Sequence, residues 1–415
     1  MTSVGDAIFY ILVFLSVYVQ IFFLVTFFEN RKNIIIRKGK IELRSYPTVT
    51  VAVPCFNEKK TVETTVQSLL ALNYPQNRLE IFIVDDGSTD DTWNTISKFQ
   101  NYRNVKIFHK ENGGKHTALN LALDNLETEF FGCLDADSIA DPESLVRLMS
   151  YFEKDPTIMA VAPSILAVNS KKLIQKAQKA EYEMTTVYLK RMLGFLGGIN
   201  VAPGPLTVFR RKVFDDLGPY KQAHNSEDME IAYRMQKHHY RIEQCNDAYV
   251  YTNTPSTIAK LFKQRVRWAY GFMNNTIDYR SILFRKKYGN FSLFTIPSAL
   301  VAIFSSSYLL GKMIYILAKF LYSRYVQFSA VGFNFKTAHS VLDPFFINTQ
   351  SLVFIIPLVY LSVIFSIMLG KRMSEGKWSF SVNIIYFLLI FSVTSPFYLV
   401  TGIYNTVLQR KPSWR

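Results

Sequence analysis

The chain has 415 residues, 49% of them hydrophobic and 15% aromatic, and a formal net charge of +15. That length exceeds one ordinary compact domain, and so apolar a composition, with a mean hydropathy of +0.10, excludes a conventional water-soluble enzyme. The positive charge suits an anionic membrane face or nucleic acid; no nucleic-acid recognition motif is present and the cations accompany apolar runs, so no nucleic-acid partner is expected.

The first predicted element is a membrane span. Ala7 to Phe28 is 22 residues without a charge, enough to cross a hydrocarbon core of roughly 30 Å as a helix. The leader MTSVGD lacks a cationic n-region, the run is too long for a signal-peptide core, and no small-residue cleavage site follows, so the span is read as retained. Arg31, Lys32, Arg37, Lys38 and Lys40 follow it, while only Asp6 precedes it. That asymmetry predicts a cytoplasmic middle domain. Cys55, Cys133 and Cys245 are widely spaced and form neither a disulfide framework nor a zinc pattern.

The middle of the chain alternates strands and helices. Thr48–Glu58 (TVTVAVPCFNE) holds a β-branched run ending at Pro54, and Thr61 to Leu72 reads as a helix. Leu79–Thr92 (LEIFIVDDGSTDDT) is a second strand and Val105–Lys115 a third; HTALNLALDNL is a helix, and Glu129–Ser138 (EFFGCLDADS) a fourth strand. Short apolar strands separated by helices predict a mostly parallel sheet. In such sheets ligands bind off the carboxyl ends of the strands. The polar clusters fall at those ends: Asn57-Glu58, Asp85-Asp86-Gly87, Gly113-Gly114-Lys115 and Asp135-Ala136-Asp137.

Each cluster has a plain reading and a functional one. Asp85 and Asp86 suit a strand-to-helix turn or a carboxylate accepting a base N–H. Gly113-Gly114-Lys115 suits a loop or a phosphate site, although neither a P-loop nor a dinucleotide fingerprint is present. Asp135 and Asp137 flank one small residue and offer two hard oxygen donors to a Mg²⁺ or Mn²⁺ shared with substrate phosphates; the plain alternative is a turn ahead of a helix. Asp141 before Pro142 is expected to cap that helix, leaving the pair free.

Two further stretches look interfacial. Ser170–Phe195 mixes cations with Leu, Ile, Tyr and Met along a helix too charged to span, and Val201–Phe214 carries Gly204 between prolines, where backbone can approach a ligand. In Asn225–Arg241 a helix is predicted with Glu227 and Asp228 in its first turn. The helix dipole favours acids there, and Asp228 could instead be a general base. His238-His239 reads as a solvated helix end. The stretch KQRVRWAYGF, Lys263 to Phe272, could be a basic amphipathic surface segment, which leaves Gln264 and Trp268 unexplained.

Three late apolar runs, Leu293–Ala318, Phe345–Leu369 and Phe380–Val407, predict a C-terminal membrane bundle. Three spans would carry the RKPSWR tail outside, so either Thr394-Ser395-Pro396 breaks the last run into a re-entrant pair or Leu293–Phe335 holds more than one segment.

In order, PCFNE, VDDGS, ENGGKHTALN, DADS, SED and QRVRW resemble the motifs of the processive family 2 glycosyltransferases, most closely the bacterial poly-N-acetylglucosamine synthases. The likeness covers about Thr48 to Met273. It implies four parts: an N-terminal span over residues 1–30, a cytoplasmic nucleotide-sugar-binding α/β (GT-A-like) domain over 45–255, interfacial helices over 256–292 and a membrane bundle over 293–415. Pro54, Phe56, Glu58, and Asp86 or Asp85 would hold the uridine of a UDP-sugar, with Lys115 facing its diphosphate. Asp135 and Asp137 would hold Mg²⁺ or Mn²⁺, and Asp228, beside Glu227, would be the base. Gly204, Gln264, Arg265, Arg267 and Trp268 would form the acceptor and diphosphate end, the tryptophan stacking on the terminal sugar of a growing polysaccharide. A small membrane accessory subunit is a further possible partner beside membrane lipids, and biofilm polysaccharide the expected product class. UDP-N-acetylglucosamine is the favoured donor. The alternatives are a cellulose- or hyaluronan-type synthase, a non-processive transferase acting on a lipid carrier, a silent scaffold and a transporter. Q-x-x-R-W argues against the non-processive enzyme, the joint presence of Asp135, Asp137 and Asp228 against the scaffold, and the scarcity of charge in the spans against the transporter.

Overall fold

The structure, a computed structural model, describes residues 4–34, 39, 41–331 and 351–412. Its centre is an eight-stranded sheet of β1 (Val49–Cys55), β2 (Leu79–Asp85), β3 (Val105–His109), β4 (Phe130–Cys133), β5 (Ser138–Ala140), β6 (Ile158–Val168), β7 (Thr207–Arg210) and β8 (Arg241–Asn253), in the order β3-β2-β1-β4-β7-β6-β8-β5. The first four strands are parallel, as expected. Beyond them β7 runs antiparallel between β4 and β6, and β6 and β8 pair in parallel.

Successive side chains point to opposite faces, and both faces are covered. Val49, Val51, Val53, Ile81 and Ile83 pack with α2 (Val62–Leu70) and α5 (Ser144–Lys154). Ala52, Phe82 and Val84 pack with α4 (Lys115–Asp124) and α9 (Glu227–Lys237). Two short helices, α3 (Thr92–Ser97) and α8 (Lys212–Leu217), complete the layers. The residue directly ahead of α5 is Glu143 rather than Asp141; Asp141 still serves the turn, its carboxylate accepting the Glu143 N–H at 3.0 Å.

The expected helix over 170–195 runs continuously from Leu173 to Phe195, as α6 (Leu173–Tyr182), a π-turn (Glu183–Leu189) and α7 (Lys190–Phe195). Gly370 of α12 (Ser351–Glu375) lies so close to the Glu183 carbonyl that a β-carbon there would sit 1.8 Å from it. The π-turn is the seat of a membrane-side helix. A long helix, α10 (Ile258–Asp278), starts with the Thr257 hydroxyl capping Lys260 N and carries the Q-x-x-R-W residues.

Among the described residues three helices are long and apolar enough to cross a membrane: Ala7–Asn30, Phe291–Ala330 and Val382–Val407. The first belongs to α1 (Val4–Asn30) and packs Phe22 against Phe294 at 4.2 Å. The others correct two expectations. α11 (Ile296–Val331) is one helix of 36 residues, and α13 (Val382–Val407) runs unbroken through Pro396. Neighbouring helices and local adjustment make such a proline tolerable in a membrane helix. The expected span Phe345–Leu369 begins outside the described residues, its remainder falling in α12. Arg37, Lys38, Lys40 and the last three residues of the tail also lie outside them.

Candidate active site

The carboxyl tips of the parallel strands bring the predicted clusters together. Past β1, Asn57 adopts φ 56° and its side-chain oxygen accepts the N–H groups of Thr89 (2.8 Å) and Asp90 (3.2 Å). This ties the PCFNE loop to the DDGS loop. The Thr61 hydroxyl donates to Glu58 at 2.8 Å. Pro54, paired in register with Val84, and Phe56 flank this corner half-buried.

Asp85 and Asp86 are both buried, and each makes hydrogen bonds within the fold. Asp85 accepts from Ser88 N at 3.2 Å and meets His109 Nδ1 at 2.7 Å. Asp86 accepts from Lys110 Nζ at 2.7 Å, Gly113 N at 3.0 Å and Gly114 N at 2.8 Å. Asp86 therefore shapes the Gly113-Gly114 loop, where Gly114 takes φ +90°, a conformation glycine adopts without steric cost. That loop delivers Lys115 to the first position of α4.

Lys115 is the hub. Its Nζ lies 2.5 Å from Asp135 Oδ1 and 3.5 Å from Glu227 Oε1. Burial works against its charge, but Asp135, Cys133, Glu227 and Asp228 together hold the ammonium well above the usual lysine value. Gly204 leans on the same pair: a β-carbon at 204 would lie 2.6 Å from Lys115 Nζ and 2.8 Å from Asp135 Oδ1. A narrow pocket lined by Lys115, Cys133, Gly204, Tyr220, Glu227 and Asp228, among others, opens here. Two of its walls, Cys133 and Tyr220, were not legible as site residues in the sequence.

Asp137 lies at the same tip. Burial, with Asp135 and Glu58 adding to it, raises its pKa to about 6, against opposing effects of Ser138 and Lys115. Asp135 and Glu58 thus add negative charge around Asp137, which a cation would relieve. Among the described residues no cluster of three or more ligating side chains could enclose a metal ion. An ion held by Asp135 and Asp137 would need its remaining positions filled by substrate phosphates and water, the usual arrangement for Mg²⁺ or Mn²⁺.

Asp228 sits in the first turn of α9 and its main-chain oxygen accepts from Ala202 N at 2.9 Å. Burial raises the carboxyl, Glu227 raises it further, and Lys115 and Arg267 pull it back down. Lys190, at the head of α7, also feels Asp228; burial lowers its pKa to about 8. Nothing in the sequence pointed to Lys190, because only the fold brings it within electrostatic reach of Asp228.

On α10, Arg267 Nη1 donates to the Asn225 carbonyl at 3.0 Å, just ahead of Ser226-Glu227-Asp228. Arg265 is buried. It donates to Glu181 at 2.6 Å and to Gln264 Oε1 at 2.8 Å, and its guanidinium lies 4.0 Å over the ring of Trp268. Trp268 is itself 38% exposed. Glu181 is the partner that sequence reasoning missed: a largely shielded acid on α6 whose charge Arg265 offsets. A larger cavity of about 730 Å³, lined by Tyr46, Asn73, Tyr74, Glu143 and Arg147 among others, opens beside the loop entering β2. That is the amino end of the strands, away from these tips, and it carries none of the chemistry.

Residues 50–218 match the family described as Glycosyl transferase family 2. Over 233 residues the chain is 32% identical to a poly-beta-1,6-N-acetyl-D-glucosamine synthase of Staphylococcus epidermidis, with 56% of each chain covered. Over 236 residues it is 31% identical to the synthase of the same name from Staphylococcus aureus strain COL, with 57% of each covered. The matches thus span little more than half the length of these relatives. A mannosyltransferase from Pyrobaculum calidifontis, in complex with GDP-Man and Mn²⁺, superposes with a TM-score of 0.61 at 16% identity, covering 96% of this chain and 99% of that one. At that identity the likeness speaks for the fold alone, which is GT-A-like.

Proposed function

Starting from a chain that carries a family 2 glycosyltransferase domain similar to the poly-N-acetylglucosamine synthases, we propose a membrane-embedded, inverting, processive β-glycosyltransferase that polymerises a UDP-sugar. The favoured donor is UDP-N-acetylglucosamine. The catalytic part lies on the cytoplasmic side and the membrane helices help the product across. The observation that carries this reading is the meeting of Lys115, Asp135 and Glu227-Asp228 at one strand tip, with Arg267 of α10 bonded to the loop that leads into Asp228.

The chemistry follows from the residues. The acceptor hydroxyl attacks the anomeric carbon as the bond from that carbon to the diphosphate oxygen breaks. UDP departs with the bonding pair, and Asp228 takes the hydroxyl proton. One such displacement inverts the centre, so an α-linked donor yields a β-linkage. Asp135 and Asp137 would hold a divalent ion that neutralises charge developing on the leaving diphosphate. Lys115 and Arg267 supply fixed positive charge on that side. Pro54, Phe56, Glu58, Asp85 and Asp86 make the uridine corner, Asp86 acting at least through the loop it holds. Gly204 leaves room where a side chain would push on Lys115 and Asp135. Trp268, braced from one side by Arg265, offers a flat apolar platform for the terminal sugar without tying it to one register.

The test is direct. The purified chain, in lipid, receives labelled UDP-N-acetylglucosamine, UDP-glucose or UDP-glucuronate with Mg²⁺ or Mn²⁺, and the products are sized. Polymer from the first donor is expected. Polymer from another donor corrects the sugar, and a single addition to lipid overturns processivity.

A further inference from the structure

The loop that enters Ser226-Glu227-Asp228 is conformationally strained. Ala223, His224 and Asn225 have φ of 42°, 57° and 60° in succession, and His224 has ψ 32°. This is one turn of left-handed helix, closed by Asn225 N to Gln222 O and Ser226 N to Ala223 O, each at 3.0 Å. Left-handed backbone costs an L-residue with a β-carbon roughly 1–2 kcal/mol; histidine and asparagine tolerate it better than most, but three such residues in succession, Ala223 among them, need something outside to hold them. None of the three residues is fully buried; all are half-exposed.

The contacts that hold the turn come from α10. His224 Nε2 meets Asp278 Oδ2 at 2.8 Å, and the imidazole stands edge-on to Tyr270 at 6.0 Å. Arg267 donates to the Asn225 carbonyl. Gly271 admits Ser226, whose hydroxyl would lie 1.8 Å from a β-carbon there. Residues 267, 270, 271 and 278 make one stripe of the helix. α9 is also tied to this end of α10 through Tyr279, which donates to Glu230 at 2.5 Å, so the docking of the helix does not hang on the His224 contact alone. What the His224 contact governs is therefore the turn and the first residues after it.

We propose that the His224–Asp278 pair is a clamp that keeps this turn left-handed and so places the Asp228 carboxylate; both are positioning residues for the transfer, a role that rests on the polymerase reading above. Strained backbone persists at functional sites only where surrounding contacts impose it. Here those contacts come from the helix that carries Trp268, so base and acceptor platform share one mount.

The experiment uses the full chain in lipid nanodiscs. His224→Ala and Asp278→Asn are each expected to lower kcat about tenfold, the loss expected when a conformer costing 1–2 kcal/mol is no longer imposed, with donor KM unchanged. Adding Ala223→Gly to Asp278→Asn removes the left-handed penalty at 223 and is expected to restore most of kcat, which a general loss of stability would not allow. Hydrogen exchange at amides 222–228 is read in parallel: faster in Asp278→Asn, slowed again in the double variant. Unchanged kcat in both single variants, or no rescue by glycine, overturns the clamp. If the unmodified chain transfers no sugar, the polymerase reading falls, and the exchange data alone then decide for or against the clamp.

Discussion

Gly271 faces Ser226 so closely that a β-carbon at 271 would stand 1.8 Å from the serine hydroxyl and 2.7 Å from its β-carbon. Only glycine lets α10 lie directly under the Ser226-Glu227-Asp228 turn. Gly271→Ala should push the two apart at about 1–3 kcal/mol, the usual cost of overpacking. We expect a folded, membrane-inserted chain with at least tenfold lower kcat, measured by UDP release in lipid.

Asp228→Asn should lower kcat by roughly 10²–10⁴, the range for loss of a positioned general base, while donor binding persists. The same change should stabilise the chain at neutral pH. Burial and Glu227 raise this carboxyl in the folded state, so the folded chain binds the proton more tightly than the unfolded one. Its ionised form therefore costs stability once pH exceeds the folded value, and asparagine removes that cost. Thermal unfolding of the two proteins side by side checks this; a lower midpoint for the variant contradicts the assigned environment.

Turnover should depend on pH through the same group. A base must be unprotonated to accept the hydroxyl proton, and the upward shift of Asp228 places the acidic limb of kcat/KM above the ordinary carboxylate range of roughly 4. The limb should vanish from the residual activity of Asp228→Asn. A limb that survives unchanged assigns the titration elsewhere.

Lys115→Met should raise donor KM strongly. It also leaves Asp135 facing Glu227 without the ammonium that lies 2.5 Å and 3.5 Å from them. Losing one partner of a buried ion pair costs about 3–5 kcal/mol; with Asp135 nearly a third exposed, we expect about 2 kcal/mol after solvent screening. Added Mg²⁺ or Mn²⁺ should recover part of that stability by taking the lysine's place beside Asp135, as a thermal shift would report.

Much of this site was legible in the sequence because its residues sit where strands end. A run such as LEIFIV announces a buried strand, and the acids after it then fall at a tip. The second half of the sheet was not legible in that way. β8 reads RIEQCNDAYVYTN, yet Glu243, Gln244, Asn246 and Asp247 are buried, and Arg147 meets Asp247 at 3.0 Å while Arg191 donates to the Gln244 carbonyl at 2.5 Å. Partners that lie 53 to 100 residues away leave no local pattern. The left-handed turn at 223–225 was hidden for a related reason: alanine and histidine do not advertise such backbone, and α10, which imposes it, follows much later in the chain. Pro396 misled in the opposite sense, since a helix packed among helices carries a proline that an isolated one would break at.

Trp268→Ala should shorten the product while UDP release continues, and Trp268→Phe should keep part of the length, because what matters is a flat apolar face beside the guanidinium 4.0 Å above it. Such a stack contributes about 1–2 kcal/mol where water is partly excluded. Full-length polymer from Trp268→Ala would remove the tryptophan from the acceptor site.

Gly402 of α13 meets Ala269 of α10 so tightly that a β-carbon at 402 would lie 2.6 Å from the alanine methyl. A helix that tilts to match bilayer thickness is thus in backbone contact with the residue next to the tryptophan. A change in the tilt of α13 would therefore be felt on α10 next to Trp268.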